Sequence, residues 1–331
     1  MNHSRGGARA AAIGAALIGL FIATIVIAYH DFGAVLAAMQ PIGALGFLVV
    51  VAAQLALFAP LGLAWWTVAP DQPIGRLGAY VWASLVAEAA SNVLPFSQFG
   101  GVLAANRAAV LAGVPAATAV GSNVVDITLE VAAQLIFTLV GVALLVARSG
   151  IAARADPLLA PLLAGLVVSA CLVGGFVVTQ RRGLRVIEAL VHKLAPGADG
   201  HAAAVTHVVR AAHGRPQRLW AGLGLHVAAW FATALATWLI LAFIGHTLPL
   251  RSVVAIESLL YAIRNAAFFV PGGLGVQEGA YALLGPLFGL PAEAALALSL
   301  LKRGRDIAIG APTLIAWQIL EARRRRRPHS A

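Results

Sequence analysis

Six apolar stretches, each long enough to cross a bilayer as a helix, follow one another along this chain of 331 residues. A transmembrane helix needs about 20 consecutive, mainly apolar residues. Alanine and leucine dominate these stretches, and period-2 alternation is absent, which favours helices over strands. We therefore predict an all-α polytopic membrane protein. The predicted full spans are Ala11–Tyr29, Gly43–Val68, Pro115–Ala147, Pro157–Thr179, Leu219–Ile244 and Pro291–Leu320.

Charged residues are scarce, which argues against a soluble domain. They make up 11% of the chain, and hydrophobic residues make up 60%, whereas soluble domains contain about 25% charged residues. The net charge of +10 does not indicate nucleic-acid binding, because the basic residues sort by loop, as membrane topology requires. The single cysteine, Cys171, lies in an apolar run and gives no disulfide frame and no thiolate metal site. We expect neither a metal nor a cofactor.

The basic residues predict the orientation. With the N-terminus, the segment Gln180–Arg218 and the tail in the cytoplasm, fifteen of the 23 basic residues are cytoplasmic, three lie on the other side and five lie within the membrane. This asymmetry is a strong positive-inside signal. We therefore expect a multi-pass protein of the bacterial inner membrane with both termini in the cytoplasm.

One sizeable polar segment, Gln180–Arg218, separates two membrane regions. Five apolar residues recur there at helical spacing and predict an amphipathic helix on an anionic leaflet: Leu184, Ile187, Leu190, Val191 and Leu194. A solvated linker helix is the alternative. The histidines of this segment are spaced unlike a metal site. The predicted divisions are a first membrane repeat with its N-terminal span (1–179), the linker (180–218), a second membrane repeat (219–320) and a polybasic tail (321–331).

Two further apolar stretches contain proline and glycine where a continuous helix would not tolerate them. One breaks at Pro95, and the other breaks at Pro271-Gly272-Gly273-Leu274-Gly275. Broken backbone at membrane depth is tolerated only where it is buried in protein or lines a cavity. We therefore predict that Ala79–Gly113 and Ser252–Gly289 are re-entrant helical hairpins.

The two broken stretches are related by a shift of 176 residues. This shift places Pro95 on Pro271, Pro115 on Pro291 and Gly113 on Gly289. The first hairpin is entered from the cytoplasm and the second from outside, so the repeats are predicted to have inverted topology. Inverted repeats with broken helices are typical of secondary transporters, whose substrate sites lie near the bilayer midplane.

Charges concentrate around the second break and at the equivalent positions of the first repeat. Each charge at bilayer depth costs at least roughly 2.5–3.5 kcal/mol on insertion scales, so such residues are candidates for function. The candidate substrate-binding residues are Arg264, Asn265, Gly272, Gly273, Gly275, Glu278, Lys302, Arg305 and Asp306, together with Asn92, Arg107, Asp126 and Glu130.

A helix that begins at a glycine-rich turn presents free backbone N–H groups and the positive end of its dipole. The helix after the second break, with Arg264, Lys302 and Arg305 nearby, is therefore a candidate site for a phosphate oxygen. A simple proline kink is the alternative. Glu278 either caps the free amides, pairs with Arg264, or has a functional role by titrating or binding an amine headgroup.

The intramembrane charges also predict specific pairs. Lys302 and Asp306 are four residues apart and can pair on one helix face. Asp126 and Glu130 have the same spacing, but their like charges repel, so they need a cation nearby or a proton on one of them. We expect this acidic pair to face the cluster Lys302/Arg303/Arg305 across a central cavity.

Four segments carry a resemblance to a known family: VPGGLGVQEGAYALLG, SNVLPFSQFGGVLAANRAAVLAG, VVDITLEVAAQLIFTLVG and LLKRGRDIAIGAPTL. They resemble the lysylphosphatidylglycerol synthase transmembrane-region family, also called flippase-like, over roughly Ala11 to Leu320. Within it, the chain most resembles the hopanoid-biosynthesis-associated membrane proteins of the HpnL kind.

This resemblance implies a lipid-handling protein that flips a phospholipid, a hopanoid or another amphiphilic lipid. Membrane lipids and lipid-biosynthesis enzymes are the implied partners. A membrane-embedded accessory or transferase subunit of lipid modification is the alternative. Lysyl transfer is not implied, because about eleven residues follow Leu320 and we expect no synthase domain. The sequence also contains no HExxH motif, no Walker A motif and no nucleophile elbow, so we expect no enzyme.

Overall fold

A computed structural model describes residues 32–93, 97–149, 199–267, 270 and 273–325. Every regular element in these ranges is helical, which confirms the predicted fold class. The predicted spans Ala11–Tyr29 and Pro157–Thr179 lie outside the described residues, as does the amphipathic pattern predicted from Leu184 to Leu194.

Ten α-helices and two short 3-10 turns account for the described chain. The turns are Gln40–Ile42 and Ile74–Arg76. The helices are α1 (Phe32–Met39), α2 (Gly43–Val68), α3 (Leu77–Val93), α4 (Ser97–Leu111), α5 (Ala116–Ser149), α6 (Asp199–His213), α7 (Pro216–Phe243), α8 (Leu250–Ala266), α9 (Val276–Leu287) and α10 (Ala292–Arg325).

Three helical stretches in the described ranges are long and apolar enough to cross a membrane: Ala37–Val68, Ala116–Arg148 and Pro216–Phe243. They correspond to three of the predicted spans. Helix α10 has 34 residues. At about 1.5 Å per residue, its length exceeds the roughly 30 Å of a bilayer core. The predicted cluster of charges interrupts its apolar sequence.

Each of the two predicted hairpins contains a pair of separate helices. Helix α3 ends at Val93, and α4 begins at Ser97. The two helices pack along each other, and Gly101 lies so close to Ser91 and Ala87 that a Cβ atom there would clash with both. In the second repeat, α8 ends at Ala266 and α9 begins at Val276. The chain is therefore interrupted near both Pro95 and Pro271.

The helix boundaries follow the 176-residue repeat closely. Applied to α5, the shift gives the bounds of α10 at both ends, and it maps the last residue of α4 onto the last residue of α9. The glycines that follow these two hairpins also match, because Gly113 and Gly289 have φ values of 94° and 88°. Such left-handed values favour glycine, so both residues mark the same sharp turn.

Equivalent helices of the two repeats run in opposite directions. Gly46, near the start of α2, packs against Phe243 at the end of α7. Gly222, near the start of α7, packs against Val68 at the end of α2. Because α2 and α7 are equivalent under the repeat, their antiparallel packing agrees with the predicted inverted topology.

Contacts at the ends of the bundle agree with the predicted alternation of sides. Arg215 donates to Asp71 at 2.7 Å, which joins the linker to the loop after α2. Arg324 donates to the carbonyl oxygen of Val110 at 3.2 Å, which joins the end of α10 to the end of α4. The first contact connects two segments that the basic-residue pattern assigns to one side, and the second connects the tail to the end of a hairpin predicted to return to that side.

Two large apolar clusters form the core, and the long helices contribute to both. Helix α2 supplies Val50 from its first half to one cluster and Val68 from its end to the other. Close packing depends on small residues, as in other membrane helix interfaces. A Cβ atom at Gly62, for example, would lie 2.5 Å from the backbone of Val81, so α2 and α3 can approach this closely only with glycine at that position.

Candidate functional site

The intramembrane charges lie between the two apolar clusters. On α5, Asp126 and Glu130 lie between Val125 of one cluster and Val142 of the other. On α10, residues 302–306 lie between Leu301 of one cluster and Leu314, which packs against the other. The polar side chains therefore form a layer near the middle of the helices, which we call the central polar layer.

Two glycines in left-handed conformations and the carboxylate of Glu278 shape the break between α8 and α9. Gly273 and Gly275 have φ values of 59° and 76°, which side-chain-bearing residues rarely adopt. Glu278 accepts a hydrogen bond from the backbone N–H of Gly275 at 2.9 Å. This capping contact satisfies one of the free amides at the start of α9 and was one of the expected roles of Glu278.

The carboxylate of Glu278 also joins α9 to α10. Arg303 donates to Oε1 from Nε at 2.8 Å and to Oε2 from Nη2 at 3.0 Å. Ser299 donates a longer bond of 3.3 Å to Oε1. Because Glu278 is 1% exposed and its charge is paired, it holds the broken segment against α10.

Arg264 lies beside the break without a carboxylate partner among the residues that the structure describes. Its Nη1 donates to the amide oxygen of Gln277 at 3.2 Å, and its guanidinium lies 5.5 Å from the centre of the Tyr261 ring. A Cβ atom at Gly273 would come within 3.1 Å of Arg264 Nε. The glycine therefore leaves room for the guanidinium, which is half-buried and faces the break.

Lys302 lies in a closed hydrogen-bonded network. Its Nζ donates to Glu257 Oε2 at 2.6 Å, to the Tyr281 hydroxyl at 2.8 Å and to Thr237 Oγ1 at 3.3 Å. Tyr281 donates its own hydroxyl proton to Glu257. All four residues are at most 1% exposed, so this network joins α7, α8, α9 and α10 out of reach of solvent.

A histidine–carboxylate pair joins the two repeats. His226 Nε2 and Asp126 Oδ1 are 2.9 Å apart and join α7 to α5. Glu130 lies one turn further along α5, half-buried, and interacts electrostatically with His226, Asp126 and Glu88.

A small cleft opens between α2, α3 and α10. Its polar lining consists of Gln54, Glu88, Asn92 and Asp306. Asn92 donates to Glu88 at 3.4 Å, and Arg305 donates to Asp306 at 2.7 Å. Glu88 also lies within electrostatic range of Arg264 and Arg305. The cleft and the second break are therefore parts of the same central polar layer.

The structure corrects the expected charge pairs. Lys302 pairs with Glu257 and not with Asp306, whose partner is Arg305. The cluster Lys302/Arg303/Arg305 does not pair with Asp126 or Glu130 in the described structure. The physical reason is that α8 and α9 place Glu257 and Glu278 directly against α10, so the basic residues are neutralised within their own repeat.

Of the three cations expected at the phosphate site, only Arg264 has no carboxylate partner within the described residues. Lys302 and Arg305 are each held by a carboxylate, whereas Arg264 is not. Arg303 is the partner of Glu278, so the alternative pairing of Glu278 with Arg264 is wrong.

Three other candidate residues remain: Arg107, Asn265 and Gly272. Arg107 is 45% exposed and pairs with Glu321 at 2.7 Å, near the end of α10. It ties the ends of α4 and α10 together and lies apart from the central polar layer. Asn265 is exposed on α8, and Gly272 lies outside the described residues.

Sequence reasoning missed four polar residues of the layer: Thr237, Tyr261, Tyr281 and His226. Of these, His226 had a recognisable signal, because it is the one ionisable residue inside the predicted span Leu219–Ile244. Glu257, the partner of Lys302, was not among the candidate residues either.

The arrangement combines a half-buried cation at a helix break with carboxylates in an adjoining cleft, all at the depth where the helices are otherwise apolar. It can bind an anionic group through Arg264 and the polar groups of the break. No group of three or more potential metal ligands occurs among the described residues. The chemistry that these residues support is the binding of charged groups within the membrane.

The comparisons with known proteins agree with a membrane assignment. The family described as the lysylphosphatidylglycerol synthase TM region matches residues 13–311. No curated protein and no solved structure gives a significant match. The family match covers most of the chain, including both hairpins and the residues of the central polar layer up to Asp306. The chain therefore belongs to the family of the lysylphosphatidylglycerol synthase transmembrane region.

Proposed function

We propose that this protein moves an amphiphilic lipid, such as an anionic phospholipid or a hopanoid, across the bacterial inner membrane. The polar headgroup passes along the central polar layer while the acyl or terpenoid part stays in the bilayer. The observation that carries this proposal is the position of Arg264. It is a half-buried cation at a helix break, at bilayer depth, and it has no carboxylate partner within the described residues.

An unpaired guanidinium is costly at this depth unless an anion or water compensates it. A lipid phosphate supplies that anion, and guanidinium groups bind phosphate with charge-assisted hydrogen bonds. The break between α8 and α9 adds backbone N–H groups at the start of a helix, where the dipole favours an anion. Inverted repeats around such a site support alternating exposure to the two leaflets.

The alternative is an accessory or transferase subunit of lipid modification. We favour lipid movement because Lys302, whose amine is the side chain best suited to act as a nucleophile, is 1% exposed and fully hydrogen-bonded within the protein. A lipid-movement protein also needs no acceptor substrate, and this difference allows a direct test.

The test is an assay of lipid movement in vesicles. Purified protein is reconstituted into phosphatidylglycerol-containing vesicles with a fluorescent phospholipid, and a membrane-impermeant reductant is added to quench the outer leaflet. We expect quenching to exceed the half that protein-free vesicles show, without any added acceptor. Quenching that stays at half in protein-containing vesicles would overturn the proposal. Conversion of the labelled lipid to a new species would favour the transferase.

The proposed orientation places both termini in the cytoplasm. Its support is the excess of basic residues, fifteen against three, on the side that holds the tail and the linker. We expect reporters fused after residue 331 and within the linker to give cytoplasmic signals in cells. A periplasmic signal from either fusion contradicts this orientation.

A further inference from the structure

The pair Asp126–His226 and the neighbouring Glu130 differ from the other charges of the central polar layer. Asp126 is 7% exposed and His226 is 2% exposed. His226 Nε2 contacts Asp126, but its second ring nitrogen, Nδ1, is buried and has no hydrogen-bond partner within the described chain. Most buried polar atoms in proteins are hydrogen-bonded, so this orphaned nitrogen needs an explanation.

The orphaned nitrogen is explained if the Asp126–His226 pair takes up and releases a proton. If His226 is neutral and donates from Nε2 to ionised Asp126, the pair has a charge of −1 and Nδ1 carries an unused lone pair. One added proton, taken up from water, brings the pair to zero charge. The added proton binds Nδ1. The Nε2 proton then either stays on the ring, giving an imidazolium beside the carboxylate, or moves to Asp126, which then donates to Nε2. The pair can therefore exchange one proton without changing the packing of α5 against α7.

Glu130 adds a second negative charge next to this pair. It makes no hydrogen bond and no ion pair with any other residue that the structure describes. The ionisable groups that face it are Asp126 on its own helix, His226 on α7 and Glu88 on α3. Two of these three are carboxylates, and like charges one turn apart destabilise a helix.

The basic residues of α10 do not compensate this charge. Arg305 is bound to Asp306, Lys302 to Glu257, and Arg303 to Glu278. Glu88, the nearest carboxylate on α3, is itself within electrostatic range of Asp306, Arg264 and Arg305. The first-repeat side of the layer is therefore the more negative side, and protons are the cations that can neutralise it without a larger cavity.

We propose that Asp126, His226 and Glu130 form an exchangeable-proton site, and that proton uptake there is coupled to the binding of an anionic lipid headgroup. The second half of this inference rests on the proposed function. Glu88 links the two sites, because it interacts with Glu130 on one side and with Arg264 on the other. An anion at Arg264 removes positive charge from the vicinity of Glu88 and so favours a proton on the acidic side. Linkage is reciprocal, so the proton also favours the anion.

The proton site is tested without any transport measurement. The purified full-length protein in nanodiscs is titrated with acid while infrared spectroscopy follows the C=O stretch of protonated carboxyl groups. We expect a buried-carboxyl band that grows through the neutral range in the wild type and is diminished in Glu130→Gln and in Asp126→Asn. Asp71→Asn is the matched control, because Asp71 is an exposed loop carboxylate whose pKa is lowered by the guanidinium of Arg215. It should leave the band unchanged.

The wild type alone can overturn the site. If neither a protonated-carboxyl band nor an imidazolium ring band appears between about pH 5 and pH 8, the range in which a histidine–carboxylate site exchanges protons, the proposal is wrong whether or not the variants fold. Isotope labelling of glutamate in the wild type separates the glutamate bands from the aspartate bands if a variant cannot be purified.

The coupling is tested in the vesicle assay at a series of pH values. For one coupled proton, the rate of lipid movement should change by up to about tenfold per pH unit through the titration, and Glu130→Gln should flatten this dependence. If the carboxyl band titrates but the transport rate does not change with pH, the proposed coupling is wrong. If the carboxyl band titrates but the protein moves no lipid at any pH, the proposed function is wrong and the proton site is supported.

Discussion

Replacing Lys302 with methionine is expected to destabilise the folded protein by about 3–5 kcal/mol, because it leaves Glu257 as an uncompensated buried charge. Glu257 is 0% exposed, and its other partner, Tyr281, can donate a hydrogen bond but no positive charge. Thermal unfolding of the purified protein in detergent measures this loss. A stability change of this size exceeds what most point substitutions cause.

The double variant Lys302→Met with Glu257→Gln separates lost charge compensation from lost packing. Replacing both members of a buried ion pair with neutral groups is often close to neutral, so the double variant should recover most of the lost stability. Arg251→Met is the control, since Arg251 is exposed at the start of α8. If Lys302→Met alone unfolds at the wild-type temperature, the Lys302–Glu257 pair does not hold the helices together.

This expectation reverses the role that the sequence suggested for Lys302. From the sequence, every charge at membrane depth is a candidate for function, because structural and functional charges look alike in a list of residues. The difference lies in the partners. Lys302 has a buried carboxylate at 2.6 Å, whereas Arg264 has a neutral amide at 3.2 Å.

The backbone organisation was predictable because its causes are local. A proline with glycines close to it disfavours a continuous helix, so the interruptions near Pro95 and Pro271 could be located without tertiary information. Isolated prolines such as Pro60 and Pro312 are instead accommodated inside α2 and α10. The repeat could be found from the same residues, because Gly113 and Gly289 perform the same left-handed turn after each hairpin. The antiparallel packing of α2 on α7 then agrees with the predicted inversion.

The pairing of side chains was not predictable, because it depends on how each helix is rotated about its axis. Asp126 and His226 are 100 residues apart in sequence, and Lys302 and Glu257 are 45 apart. The repeat suggested that acids on α5 should meet bases on α10. It could not show that α7, α8 and α9 provide closer partners for both groups.

Replacing Arg264 with glutamine is expected to abolish most lipid movement while leaving the fold intact. A hydrogen bond to a charged group contributes about 1.5–3 kcal/mol. Losing one such bond to a lipid phosphate should reduce headgroup affinity by roughly tenfold to a hundredfold. The fold should tolerate the change because no described carboxylate loses its partner, and glutamine retains a donor for Gln277. Initial rates in the vesicle assay and unfolding temperature are measured on the same preparation.

The comparison with Arg251→Gln shows whether the position or the charge alone matters. Both arginines lie on α8, but Arg251 is exposed at its first turn, whereas Arg264 is half-buried beside the break. We expect Arg251→Gln to transport lipid at the wild-type rate. Arg264→Lys should retain part of the activity, because an ammonium keeps the charge but loses the planar fork that binds phosphate in two places. Wild-type transport by Arg264→Gln contradicts a role in binding the headgroup. A fall in its unfolding temperature as large as that of Lys302→Met would show that Arg264, too, is structural.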